Sequence, residues 1–200
     1  LESQGRWQDL VENLARQVEA AALPAQQMAL RRERARVLHE RLQRSEEAAA
    51  EISAALAQAP EDRASLELGL EVLSTLERPE EELGLLQRLS ALTHTAAPRL
   101  QLLLREAELC ETRLADPERA IASWLKVLQL RPGSRDALVA LARLHAQRGD
   151  WKQAVTVLRW QAEGAATLEE RAECLGRIAS IYQQEVKDLE CGGEPVLLRV

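Results

Sequence analysis

The sequence predicts an all-α protein built from tandem antiparallel helical hairpins, with about ten helices in its 200 residues. Three observations support this prediction. Strong helix formers such as Ala, Leu, Glu, Arg and Gln dominate the composition, whereas Phe is absent and the residue types that favour strands are scarce. The sequence also matches itself at a fixed displacement. Finally, Pro and Gly recur between segments in which apolar residues follow a helical period.

The internal repeat is visible when the chain is displaced along itself. A displacement of 72 positions places Leu14 on Leu86 and Pro60 on Pro132 without a gap, and a displacement of 144 places Leu14 on Leu158. Matches at two multiples of one period are typical of a solenoid, in which each repeat is a unit that stacks on its neighbours.

Proline and glycine separate the predicted helices, since Pro suits a first helical turn and Gly follows a last one. The predicted helices are residues 6–22, 25–44, 46–58, 62–77, 79–93, 97–114, 117–130, 134–148, 150–163 and 167–187. Each period of the repeat contains two hairpins. We expect one superhelical domain over residues 1–190, with units at about 7–78, 79–150 and 151–190, and an irregular tail at 191–200.

The segment from 135 to 166 resembles a tetratricopeptide repeat. The residues that carry the resemblance are Leu138, Leu141, Ala142, His145, Trp151, Ala154 and Leu158. The preceding unit is similar, with Ala107, Ala120, Trp124 and a closing Pro132. The resemblance implies a right-handed α-solenoid in which small residues let neighbouring helices approach closely.

Several features depart from the family's pattern. Leu10 and Glu82 stand where other second helices carry a small alanine, and the repeat spacing alternates between 38 and 34 residues. The chain begins with what matches a second helix, so we expect a fragment of a larger array. The last long helix lacks its usual partner, so its apolar side chains should be partly uncovered and available for self-association. These side chains are Leu175, Ile178, Ile181 and Tyr182.

Charge and motifs argue against several functional classes. Lys plus Arg total 26 against 32 for Asp plus Glu, and the net charge of −6 disfavours nucleic-acid binding. No segment is apolar enough to insert into a membrane. Three cysteines without a CxxC pair favour a reducing, cytoplasmic compartment, and the sequence suggests neither a metal site nor a cofactor. No catalytic motif is present, so we do not expect an enzyme.

The resemblance implies that the first helix of each hairpin lines a concave groove. The groove positions are Arg32, Arg36, His39, Glu40, Glu67, Glu71, Glu108, Glu111, Arg143 and Gln147. This groove is basic at its N-terminal end and acidic in its middle. The basic end could bind an acidic partner through Arg32 and Arg36, or it could be a solvated helix face with Glu33 and Glu40 as local partners.

These residues point to a non-enzymatic scaffold or adaptor that binds a partner protein or peptide in the groove, and Trp160 is a candidate anchor elsewhere on the surface. The alternative is a structural or self-associating spacer within a longer repeat protein. A regulatory segment attached to an enzyme is a third reading.

Overall fold

The computed structural model describes the backbone of residues 2–191 and the side chains of residues 6–183. Ten α-helices account for this part of the chain, and it contains no strand. The helices are α1 (Glu2–Ala20), α2 (Pro24–Glu40), α3 (Ser45–Gln58), α4 (Arg63–Thr75), α5 (Pro79–Leu92), α6 (Ala96–Thr112), α7 (Pro117–Leu130), α8 (Arg135–Gln147), α9 (Trp151–Glu163) and α10 (Leu168–Cys191). The predicted all-α fold with ten helices is confirmed. The predicted tail lies outside the described residues except for Cys191, which is the last residue of α10.

The turns after α2, α4, α6 and α8 share one backbone feature. Each contains a residue with a positive φ: 57° at Gln43, 54° at Glu77, 49° at Ala115 and 72° at Gly149. Their separations are 77 − 43 = 34, 115 − 77 = 38 and 149 − 115 = 34 residues, which is the alternation seen in the sequence. The left-handed residue reverses the chain and therefore ends α2 at Glu40, four residues before the predicted end.

We expect Gln43→Gly to stabilise the protein by about 0.5–1 kcal/mol, because a left-handed φ strains any residue with a Cβ atom. Gln43 is exposed, so the change removes no buried contact. The measurement is the urea midpoint at constant slope. Gly149→Ala is the matched control and should lower stability by about 1 kcal/mol. Destabilisation by Gln43→Gly would contradict the left-handed turn.

The helices form two compact units, Leu1–Asp116 (unit 1) and Pro117–Val200 (unit 2). In unit 1 each helix from α1 to α6 packs against the next, and α2 also contacts α4. In unit 2, α8 packs against α7 and α9, and α10 packs against α9. These two units are groups of helices that contact one another, whereas the predicted units are segments of similar sequence. The two divisions therefore differ, and the single-domain arrangement stays a prediction.

Small residues at the repeat positions are buried, as predicted. Ala35, Ala48, Ala107, Ala120 and Ala154 are all inaccessible to solvent. A larger side chain at these positions would separate the helices that meet there. Leucine is the most frequent residue in the core around them. The leucines with at most 1% exposure are Leu38, Leu66, Leu86, Leu141 and Leu158.

Candidate functional site

The arginines of α2 bind carboxylates on neighbouring helices of unit 1. The Arg31 and Arg34 guanidinium groups both contact Glu51 of α3, with Arg31 Nη1 2.9 Å from Glu51 Oε2. Arg32 Nη1 lies 2.6 Å from Oδ2 of Asp62, the residue that precedes α4. Three of the four arginines of α2 therefore hold this helix against α3 and the start of α4.

Asp62 also caps α4. Its Oδ2 accepts hydrogen bonds from the backbone N–H of Ser65 at 2.9 Å and from the Ser65 hydroxyl at 2.5 Å. Partial burial by itself would raise the pKa of Asp62, but the hydrogen bonds from Ser65 and Arg32 outweigh this effect and lower the pKa below its ordinary value of 3.8. The charged carboxylate is thus the form that stabilises this junction.

Asp62→Ala is expected to cost about 1–2 kcal/mol at neutral pH, because it removes a helix cap and the partner of Arg32. A carboxylate whose pKa is lowered by folding contributes stability above its unfolded pKa and loses it as pH falls through the folded pKa. The difference between the wild-type chain and Asp62→Ala should therefore be complete at pH 6 and shrink below pH ~4. Urea unfolding across this range tests it. Glu61→Ala, at the adjacent exposed carboxylate, should show neither effect.

Two of the three remaining predicted groove positions on α2, Arg36 and Glu40, are exposed. The Arg36 side chain is 54% exposed, and it lies 3.6 Å from Glu33 and 3.8 Å from Glu40, at distances typical of loose ion pairs. His39 is half-buried, with Nδ1 3.0 Å from the Ser45 hydroxyl at the start of α3. Arg36 is therefore better placed than Arg32 to meet another molecule.

The acidic groove positions lie on α4 and α6. Glu67, Glu71 and Glu108 are exposed and Glu111 is half-buried. Glu67 makes an ion pair with Arg63 at 2.7 Å within α4, which is a surface contact worth little to stability. Unit 1 thus presents one exposed cation on α2, flanked by the exposed carboxylates of Glu33 and Glu40, and further exposed carboxylates on α4 and α6.

The last two groove positions, Arg143 and Gln147, are exposed on α8 of unit 2. A groove that runs through both units stays a prediction.

Glu82 explains the departure from the repeat pattern in α5. Its side chain is 3% exposed, and its two oxygens lie 2.6 Å from Arg105 Nη2 and 2.6 Å from Arg113 Nη1. A carboxylate can replace the usual alanine here because two arginines of the next helix region neutralise it. Sequence reasoning noted Glu82 as an exception but did not identify its partners, which are 23 and 31 residues away.

Each unit contains a groove between helices that are two apart in the chain. The α3–α5 groove of unit 1 has a volume of 430 Å³ and is lined by Ser53, Leu56, Gly84 and Arg88, among others. The α7–α9 groove of unit 2 has a volume of 690 Å³. Its lining includes Leu125, Leu128, Trp160, Glu173 and the ion pair between Arg135 and Glu170.

The proposed contact residues on α10 are only partly uncovered. Leu175 and Tyr182 are 52% and 44% exposed. Ile178 is only 8% exposed, so the prediction that it is uncovered is wrong: this face of α10 packs against α9. Ile181 is half-buried.

The part of the chain that the structure describes offers neither a metal-binding cluster nor a membrane-spanning helix. No group of three or more His, Cys, Asp or Glu side chains there has an arrangement that could hold a metal ion. Within the same residues, no helix has both the length and the apolar character needed to cross a bilayer. Cys110 and Cys174 are buried free thiols.

Comparison with known proteins identifies similar folds. No protein-family model matches the sequence, and the search of curated proteins gives no match. A tetratricopeptide repeat protein from Parabacteroides merdae ATCC 43184 superposes with a TM-score of 0.51 and 18% identity, over 93% of this chain and 73% of that one.

Two further solved structures are similar. MamA superposes with a TM-score of 0.50 and 10% identity over 94% of each chain. A chain in the structure of Naa15/Naa10 bound to HypK-THB has a TM-score of 0.61 and 18% identity, over 90% of this chain and 29% of that one. Together with the ten helices and the buried small residues at the repeat positions, these similarities show that the chain has a tetratricopeptide-repeat-like α-solenoid fold.

Proposed function

We propose that the chain is a non-enzymatic protein-interaction scaffold that binds a partner protein or peptide along α2, α4 and α6. The observation that carries the proposal is the distribution of charge in unit 1. Arg31, Arg32 and Arg34 are engaged by neighbouring helices, whereas Arg36, Glu67, Glu71 and Glu108 stay at the surface. Charged groups that contribute little to the fold are available for recognition.

The surface charges suggest the composition of the partner. An acidic segment would suit Arg36 on α2, and basic residues would suit the exposed carboxylates of α4 and α6. A partner segment with acidic and basic portions in this order would complement both ends of unit 1. We propose that this segment binds in the groove. We also propose a cytoplasmic location, which the free thiols of Cys110 and Cys174 favour.

The test compares Arg36→Glu with Lys152→Glu, which makes the same charge change at an exposed position of α9. Partners recovered with the wild-type chain are identified, and their affinity for each variant is then measured at low and high salt. We expect Arg36→Glu to weaken binding about five- to tenfold at low salt and less at high salt, since rim charges act through screened attraction. Equal affinities for both variants would remove Arg36 from the proposed surface.

The structure changes the choice of variant. Arg32→Glu would place a second carboxylate beside Asp62 and destabilise the junction of α2 with α4. A loss of binding in that variant would not separate recognition from folding, so Arg36 is the better position.

Self-association through α10 is the second candidate function. Leu168, Leu175 and Tyr182 are seven residues apart and all exposed, and Leu168 is 84% exposed. Apolar side chains at this spacing lie along one helix face, as in helices that pair. Sedimentation of the wild-type chain and of the Leu175→Lys/Tyr182→Lys variant tests self-association. A wild-type dimer that the variant does not form would support this function, and a monomer in both cases would reject it.

A further inference from the structure

The α7–α9 groove of unit 2 is more apolar at its rim than folding requires. Trp160 is 51% exposed and Leu125 is 42% exposed, and both line the groove. Exposed large apolar side chains that gather around a concavity are typical of a binding surface.

The internal repeat provides a control for this surface. The displacement of 72 positions places Ser53, Leu56, Ala57 and Arg88 of the α3–α5 groove on Leu125, Leu128, Gln129 and Trp160 of the α7–α9 groove. The two grooves therefore occupy the same place in the repeat.

Three of these four positions differ between the units: unit 2 is more polar at Gln129, which replaces Ala57, and more apolar at the other two. Unit 1 has a serine where unit 2 has Leu125, and an arginine, Arg88, where unit 2 has Trp160. Arg88 donates a hydrogen bond to the carbonyl of Pro60, so it serves the local structure. Polar residues at both positions are compatible with the fold of unit 1, so folding alone does not explain the two apolar residues of unit 2.

The charge around the α7–α9 groove favours a cation. Arg135 and Glu170 neutralise each other at 2.7 Å. Glu173 is exposed and lies on the same rim, which leaves the lining with one net negative charge. The exposed indole of Trp160 also attracts a cation to its face.

We propose that the α7–α9 groove binds a segment of a partner protein that presents large apolar side chains next to a Lys or Arg. The apolar side chains lie against Leu125, Leu128 and Trp160, and the cation lies beside Glu173. This surface is in unit 2 and uses none of the charged positions of α2, α4 and α6, so it is an additional interaction site.

The experiment exchanges the groove residues between the units. Leu125→Ser/Trp160→Arg gives unit 2 the residues of unit 1, and both replaced side chains are exposed enough for the fold to tolerate the change. A random peptide library displayed on phage is selected on the full chain and counter-selected on this variant. Enriched peptides are synthesised, and their dissociation constants are measured by calorimetry.

The proposal predicts that enriched peptides combine Leu, Ile, Phe or Trp with a Lys or Arg. Their affinity should fall on the order of tenfold or more in Leu125→Ser/Trp160→Arg, because aromatic anchors dominate binding at such surfaces. Glu173→Lys should weaken the same peptides without changing the thermal unfolding midpoint, and Arg36→Glu should leave them unaffected.

Three results would overturn the proposal. The selection could give no peptide that distinguishes the chain from the exchange variant, or it could enrich acidic peptides. Alternatively, sedimentation could show a dimer that Leu125→Ser/Trp160→Arg dissociates, in which case the occupant of the groove is a second copy of the chain.

Discussion

Replacing both Arg105 and Arg113 with methionine is expected to destabilise the protein by about 3–5 kcal/mol, because the double change leaves the Glu82 carboxylate buried without a counter-charge. The Glu82 side chain is 3% exposed, whereas those of Arg105 and Arg113 are 43% and 34% exposed. The loss of stability therefore comes mainly from the Glu82 carboxylate, which cannot reach water. Methionine preserves much of the apolar length of each arginine, so little packing is lost.

Removing Glu82 should have a much smaller effect. In Glu82→Ala the two arginines can turn towards water, and alanine is the residue that Ala48, Ala120 and Ala154 supply at the equivalent positions. We expect this variant to lose about 1 kcal/mol or less. Adding Glu82→Ala to the double arginine variant should recover most of the lost stability, since neighbouring changes of this kind are not additive.

Urea unfolding of these three variants and of Arg63→Met gives the comparison. Arg63 makes an exposed pair with Glu67, and removing it should cost at most about 1 kcal/mol. If the double arginine variant were no less stable than Arg63→Met, or if Glu82→Ala failed to rescue it, Glu82 would not be a desolvated charge.

Leu86→Ala is expected to cost about 2–5 kcal/mol, through lost burial of apolar surface and the cavity that remains. Leu86 is inaccessible to solvent in α5, and Leu158, which is one period later in α9, is 1% exposed. The two leucines occupy equivalent places in the core of unit 1 and of unit 2. Leu158→Ala should therefore have a cost in the same range.

Leu168→Ala is the matched control, since it removes the same atoms from a side chain that is 84% exposed. Its effect should stay within about 0.5 kcal/mol. Circular dichroism during urea unfolding measures all three variants. Similar midpoints for Leu86→Ala and Leu168→Ala would contradict the burial of α5 in the core.

The sequence predicted every helix because helices depend on local properties. Apolar periodicity, proline at Pro79 and Pro117 and glycine at Gly149 can be recognised without any knowledge of distant residues. The end of α2 was misplaced because Gln43 adopts the left-handed conformation in a turn where no glycine marks it.

The candidate site was less predictable from the sequence. Arg32 and Arg36 have the same type, helix and groove assignment, yet Arg32 binds Asp62 while Arg36 stays 54% exposed. Ile178 was expected to be partly uncovered, but it is buried where α10 packs against α9. In each case the outcome depends on which side chain of another helix lies opposite.

The helical class, the number of helices, the 72-residue repeat and the small residues at helix contacts could all be predicted from the sequence alone. The packing of the helices establishes which charged groups are paired inside the fold, as at Glu82, and which remain exposed, as at Arg36 and Glu173. The physical reason is that helix formation and apolar burial follow short-range patterns. The pairing of side chains is set by distances between helices, which bring together residues tens of positions apart.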